Sequence, residues 1–394
     1  MDHITCKGFK AAGVASGLKK NGGKDLGLIY SEVPATVAGV FTKNRVQAAP
    51  VLLDRERLNS GNCQAVIVNS GNANCCTGKQ GMRDAIAMTR FAASGLKISE
   101  ELVMAASTGV IGQHLDTGKI EAAMPELVTA LKPNGLAHLA RAIMTTDTVP
   151  KMVSRRGKVE GKSYTVAGVA KGSGMICPDM ATMLCFVVSD IKISQDILTE
   201  KLLAAADKSF NRITVDGDTS TNDTILVLAN GLSGATVKNA AHRESFQAVL
   251  DEVLTDLAKM VVKDGEGATK LVEIIIRGAL SDRDATKVAD TISNSNLVKT
   301  AIFGEDANWG RILAATGRAG VQMDSTKADI FFDDVVIAKN GMWCGEKAEA
   351  EASKILQNDE FSITVDLNMG QGSASVFTCD FSIDYVKINA DYRS

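Results

Sequence analysis

Thr182 stands at the junction of two unlike stretches. Before it, Lys171-Gly-Ser-Gly174 is a glycine turn and Cys177-Pro178-Asp179 breaks regular structure. After it, Met183 to Val188 is an unbroken apolar run, the sign of a strand buried on both faces. A hydroxyl at that junction is badly placed for core packing and well placed to face a cleft. An ordinary strand threonine is the plain alternative. Threonine is a weak nucleophile unless a base sits beside it. Cutting the chain between Ala181 and Thr182 supplies one, because the freed α-amino group has a pKa of about 8. Residue chemistry alone leaves both readings open.

Other residues have chemistry with a plain alternative beside it. Leu102 to Ala106 reads as a short strand ending in Ser107-Thr108-Gly109, which can present a hydroxyl and a backbone N–H side by side. Such tripeptides also make ordinary turns. Thr145-Thr-Asp-Thr148 can hold a substrate or simply cap and turn. Lys171 before a glycine turn and Glu266 within one are usually solvated charges. Asn69-Ser-Gly-Asn-Ala-Asn74 suits a ligand or a hydrogen-bonded surface turn. Asp216, Asp218 and Asp223 lie in a hydroxyl-rich loop, but EF-hand spacing and its final Glu are missing, so these carboxylates are expected to brace the loop.

Bulk properties narrow the classes. The chain has 394 residues, 45% apolar and 23% charged, with a formal net charge of −3. There is no basic block to bind nucleic acid. The N-terminal residues lack a signal-peptide pattern, and no apolar run reaches membrane-spanning length. A cytoplasmic protein without membrane contact is therefore expected. Eight cysteines are scattered without a Cys-x-x-Cys pair, and the four histidines lie far apart, so no metal is expected. Adjacent Cys75 and Cys76 do not suit an ordinary disulfide.

The elements that must position these residues follow from periodicity. Strands are predicted at Asp25 to Ser31, Thr36 to Thr42, Ala65 to Val68, Lys162 to Ala170 and Lys270 to Arg277, and through a strand-rich stretch from Ala328 to Ile388. Helices are predicted near 79–94, after Asp116, near 136–144, after Ser194, and near 243–263, 284–295 and 309–316. Strands and helices cluster rather than alternate, which predicts an α+β fold.

Several blocks in order resemble the ornithine acetyltransferase family, the bifunctional glutamate N-acetyltransferases of arginine biosynthesis. They include Gly39-Val-Phe-Thr42, Val68 to Asn74, Ser107-Thr-Gly-Val-Ile-Gly112, Thr145 to Thr148 and Lys171 to Leu184. Thr214 to Thr224, Asp264 to Lys270, Asn308-Trp-Gly-Arg311 and Asn389 to Ser394 continue the series, so the resemblance spans essentially the whole chain. Cys177 and Asp179 depart from the family pattern.

The resemblance implies a layered sandwich of stacked β-sheets with outer helices, similar in outline to N-terminal nucleophile hydrolases but distinct in topology. It implies self-cleavage between Ala181 and Thr182 into an alpha chain, 1–181, and a beta chain, 182–394, assembled as two of each. It makes Thr182 the nucleophile, Thr108 and Gly109 the oxyanion donors, and Thr146, Lys171, Thr182, Glu266, Asn389 and Ser394 substrate-binding residues. The implied reaction moves acetyl from N2-acetylornithine to L-glutamate through an acetyl-threonine. It needs no cofactor, with acetyl-CoA a candidate second donor. Two rivals use the same residues differently: an aminopeptidase or amidase releasing the acyl group to water, and an uncut metabolite-binding protein.

Overall fold

A computed structural model describes residues 4–177 and 183–391. Ala181, Thr182 and Ser394 lie outside the described residues. The chain begins with Phe9–Val14 (β1), Leu26–Phe41 (β2) and Ala49–Arg57 (α1). Asn62–Asn72 (β3), Gly78–Leu96 (α2), Val103–Val110 (β4), Thr117–Thr129 (α3) and Leu136–Ala142 (α4) follow. Next come Lys151–Val159 (β5), Lys162–Lys171 (β6), Leu184–Ser189 (β7), Gln195–Lys208 (α5), Thr224–Ala229 (β8) and Ala240–Lys263 (α6).

These elements, α6 up to Val261, form the first of two compact units. Its mixed sheet runs β4-β3-β2-β8-β7-β6-β5, with β1 paired to β2. Side-chain alternation splits the core between the two faces. Val66 and Val68 pack with Leu136 and Leu139 of α4 on one face. Ala65 and Ile67 pack with Met88 of α2 and Ile120 and Leu127 of α3 on the other. With helices on both faces, the strand loses the alternation of a half-exposed one and reads as a continuous apolar run. Each buried Val or Ile contributes roughly 1.5–3 kcal/mol.

The second unit holds Arg212–Gly217 and the later elements. Those are Leu271–Ala279 (β9), Asp282–Ser293 (α7), Asn296–Phe303 (α8), Trp309–Gly317 (α9), Asp329–Phe332 (β10) and Val335–Lys339 (β11). Met342–Trp343 (β12), Glu346–Ile355 (α10), Glu360–Asp366 (β13), Gly372–Cys379 (β14) and Ile383–Ala390 (α11) complete it. Its sheet runs β12-β11-β10-β13-β9-β14. Val272, Ile274 and Ile276 of β9 bury against Ala285, Val288 and Ile292 of α7. The α+β class expected from clustering is borne out.

Some elements differ from expectation. The two strands expected around Pro34 are one, β2, with its register against β3 interrupted between Tyr30 and Ala35. Proline lacks an N–H, and an interruption in the ladder is where none is needed. Helix α1, not among the predicted helices, carries Pro50 in its first turn, where proline is tolerated. Helices α10 and α11 interrupt the strand-rich C-terminal stretch. Among the described residues no helix is long and apolar enough to cross a membrane.

Candidate active site

In the first unit, β4 carries Ser107, Thr108 and Gly109 to its carboxyl end. It runs parallel to β3, with Ser70 opposite Thr108 and Gly71 opposite Gly109. Gly109 has φ +133°, and a Cβ there would stand 2.4 Å from the Gly71 carbonyl carbon. Both the angle and the close approach demand glycine. The strand end is held from two sides. Ser107 Oγ donates to Asn69 Oδ1 at 2.6 Å, and Asn222 Nδ2 donates to the carbonyls of Ser107 and Ala73, each at 2.7 Å. The Asn69–Asn74 stretch is thus buried framework rather than a surface turn. Asn69 and Asn74 are fully buried, and Asn74 Nδ2 donates to the Gly81 carbonyl at 2.8 Å.

Lys171 ends β6, where its backbone lies opposite Leu184 of β7. It is not a solvated lysine: it is 5% exposed, and Nζ donates to Thr108 Oγ1 at 3.2 Å. Asp147 anchors the same corner. Its Oδ1 accepts from the Gly172 N–H at 2.7 Å and from Lys151 Nζ at 2.7 Å, while Oδ2 accepts from the Thr145 N–H at 2.9 Å. Burial alone would raise the Asp147 pKa. The Lys171 and Lys151 ammoniums outweigh it and hold the carboxyl down at about 2. Thr146 Oγ1 meets Ser173 Oγ at 2.7 Å, joining the threonine run to the glycine turn after Lys171.

Asp223 lies buried at the start of β8, and its Oδ1 accepts from the Met183 N–H at 2.9 Å. Burial pushes its carboxyl well above the usual range, only partly opposed by that N–H and the Lys171 charge. The Asp223 side chain thus holds the backbone at the head of β7. Asp216, in the second unit, accepts from the Ile176 N–H at 2.8 Å and from Tyr385 Oη at 3.4 Å. These two carboxylates brace backbone, as their loop suggested.

Also in the second unit, Glu266 is buried in the turn before β9, and its Oε2 accepts from Asn389 Nδ2 of α11 at 2.8 Å. Thr108, Gly109 and Lys171 thus come together at one strand end, with Thr146 tied in through Ser173. Glu266 and Asn389 pair with each other.

Three residues escaped the sequence reading: Asp147, Lys151 and Asn222. Asp147 lay inside a polar run already singled out. Lys151, four residues on and fully buried with it, was the available signal, because a carboxylate and an ammonium at that spacing can pair.

The ArgJ family profile matches residues 10–394. The arginine biosynthesis bifunctional protein ArgJ of Geobacter sulfurreducens is 52% identical over 393 residues, covering 99% of this chain and 100% of its own. A glutamate N-acetyltransferase of Methanocaldococcus jannaschii is 46% identical over 399 residues, covering 98% of this chain and 97% of its own. A crystal structure of the arginine biosynthesis bifunctional protein ArgJ from Bacillus halodurans matches at 43% identity with a TM-score of 0.50, covering 52% of this chain and 97% of that one. With family motifs in order along the chain and this identity over nearly its full length, the chain belongs to the ArgJ family.

Proposed function

We propose that this acyltransferase moves the acetyl group of N2-acetylornithine to the amine of L-glutamate through an acetyl-threonine at Thr182. The Thr182 hydroxyl attacks the acetyl carbonyl, and its α-amino group takes the hydroxyl proton. The oxyanion is held by the Thr108 hydroxyl and the Gly109 N–H, each donor supplying roughly 3 kcal/mol. Collapse expels ornithine, whose amine takes the proton back. The glutamate amine then attacks the ester, loses its proton and leaves acetylated, restoring the Thr182 hydroxyl.

The observation that carries this is the Lys171–Thr108 hydrogen bond. An ammonium can only donate, so the Thr108 oxygen accepts and its own proton is free to point at a reacting oxygen. We assign the substrate carboxylate to Lys171, with Thr146 beside it. Glu266 takes the substrate ammonium, Asn389 orients its carboxylate, and Ser394 is a further substrate contact by family resemblance. No cofactor enters these steps, and acetyl-CoA is a candidate second donor.

The same scheme needs cleavage between Ala181 and Thr182, giving chains 1–181 and 182–394 that assemble two of each. The half-length match to the Bacillus halodurans chain supports it, since that chain is covered almost whole by about half of this one. Initial rates with N2-acetylornithine and glutamate should give parallel double-reciprocal lines. Acetylornithine alone should leave one acetyl group on a chain beginning at Thr182, seen by intact mass. Intersecting lines, or full activity in an uncut chain, rule the mechanism out. Rapid release of acetate to water when glutamate is present favours the amidase reading instead.

A further inference from the structure

Cys75 and Cys76 follow the buried framework turn, and the mechanism uses neither. Their sulfurs stand 3.8 Å apart. Cys75 is 1% exposed whereas Cys76 is exposed. Cys76 adopts φ +58° and Asn74 φ +44°, both in the left-handed region.

Two separations decide what such a pair suits. Consecutive Cα atoms lie about 3.8 Å apart, below the roughly 4.4 Å lower limit of an unstrained disulfide. A direct bond is therefore disfavoured. A tetrahedral centre with metal–sulfur bonds of about 2.3 Å holds its two sulfurs about 3.8 Å apart. The observed spacing is the bite of a bridged pair. We propose that Cys75 and Cys76 form a two-sulfur site for a soft, thiophilic metal or metalloid centre, and that filling it disables the neighbouring oxyanion donors. The second half of this proposal rests on the roles given above to Thr108 and Gly109.

Exposed Cys76 is the point of entry, and buried Cys75 closes the chelate. Among the described residues no group of three or more His, Cys, Asp or Glu side chains gathers to hold a metal, so the remaining ligands come from water or an added thiol. Coupling to the oxyanion strand is short. The Ala73 carbonyl, two residues before Cys75, accepts from Asn222 Nδ2 at 2.7 Å. Thr221 Oγ1 donates to Asn222 Oδ1 at 2.6 Å, and Asn222 Nδ2 donates to the Ser107 carbonyl, the peptide that leads into Thr108. On the backbone side, the Gly112 N–H donates to the Cys75 carbonyl and the Ala73 N–H to the Val110 carbonyl, each at 3.0 Å. Cys75 is 1% exposed, so seating a centre against its sulfur displaces the neighbouring chain and pulls on both connections.

Phenylarsine oxide is the probe. Two thiols condense with its As–O group, forming two As–S bonds and releasing one water, with no change of oxidation state. Purified full-length enzyme should gain the mass of one phenylarsenic group less two hydrogens. That adduct should survive excess 2-mercaptoethanol and be removed by dithiothreitol, which offers two thiols. Acetyl transfer should fall about 100-fold, the cost of one oxyanion donor, and recover with the adduct's removal. Cys76→Ser, a surface change, and Cys75→Ala should each stay active and lose the monothiol-resistant adduct. A resistant adduct that persists in both variants, or none in the parent, overturns the site. A resistant adduct with unchanged activity overturns its coupling to the oxyanion strand. A preparation without any acetyl transfer counts against the proposed reaction, while the mass data still judge the site.

Discussion

Lys171 Nζ and Thr108 Oγ1, contributed by strands β6 and β4 and 63 positions apart in the chain, are joined by a buried 3.2 Å hydrogen bond in which the lysine donates. The bond fixes the direction of the threonine proton as well as the position of its oxygen. Thr108→Val keeps the shape and removes the donor, so kcat should fall about 10²–10³-fold with the urea midpoint nearly unchanged. Thr108→Ser should restore most of the rate. Steady-state rates and urea titrations of the two variants check this together. Near-normal turnover in the valine variant removes Thr108 from the mechanism.

Asp147→Asn leaves the Lys151 ammonium buried without its counter-charge, a change that costs about 3–5 kcal/mol. The pH dependence has a definite sign. The Asp147 carboxyl titrates at about 2 in the folded chain against an ordinary 3.8. Its contribution, about 2 kcal/mol by linkage, is therefore complete above about pH 4 and is lost as pH falls toward 2. Urea unfolding between neutral and low pH should show this component in the parent and lack it in the asparagine variant.

Two glycines, one at the end of β4 and one just after it, separate strain from crowding. Gly112 has φ +84° with nothing within 4 Å of an added Cβ, whereas Gly109 has φ +133° and meets Gly71 at 2.4 Å. Gly112→Ala should cost about 1 kcal/mol from backbone conformation alone. Gly109→Ala should cost on the order of 2–3 kcal/mol and also lower acetyl transfer. Equal losses in thermal or urea unfolding contradict the close approach of β3 and β4.

Glu266→Gln retains an oxygen to accept from Asn389 and removes the charge. If Glu266 receives the substrate ammonium, KM should rise about tenfold or more with a smaller change in kcat, the pattern of lost ground-state binding. Unchanged KM values for both acetylornithine and glutamate leave Glu266 a structural partner of Asn389 alone.

Much of the fold could be read because one periodicity dominated. Val187 and Val188 in β7 and Phe246, Leu250, Val253 and Leu257 along α6 are all fully buried, as their runs and stripes implied. Strand β5 escaped because Arg155 and Arg156 break any apolar pattern. It is the edge of its sheet, where exposed charge protects unpaired backbone. Helix α10 buries only Ala352 among its ten residues, so its pattern offered little to read. In the site, the motif blocks pointed to Thr108, Gly109 and Lys171. The Asp147–Lys151 pair stayed hidden because burial of a charge depends on which elements close over it, and local spacing does not record that.

The division of β2 sets an order of events during synthesis. Its first half pairs with β1 and β3, but Thr36 to Phe41 pair with β8, nearly two hundred positions later. Strand β6 likewise waits for β7. Closing so long a loop is slow, and until β8 leaves the ribosome the second half of β2 has an open edge. A cut at Ala181–Thr182 made on the nascent chain would strand residues 1–181 with the second half of β2 lacking β8 and one edge of β6 lacking β7. If the chain is cut as proposed, cleavage has to follow assembly of the sheet, and a chain already cut and then unfolded must find its partner strands in another molecule. Refolding of the separated chains should therefore slow on dilution, while refolding of the uncut chain should not.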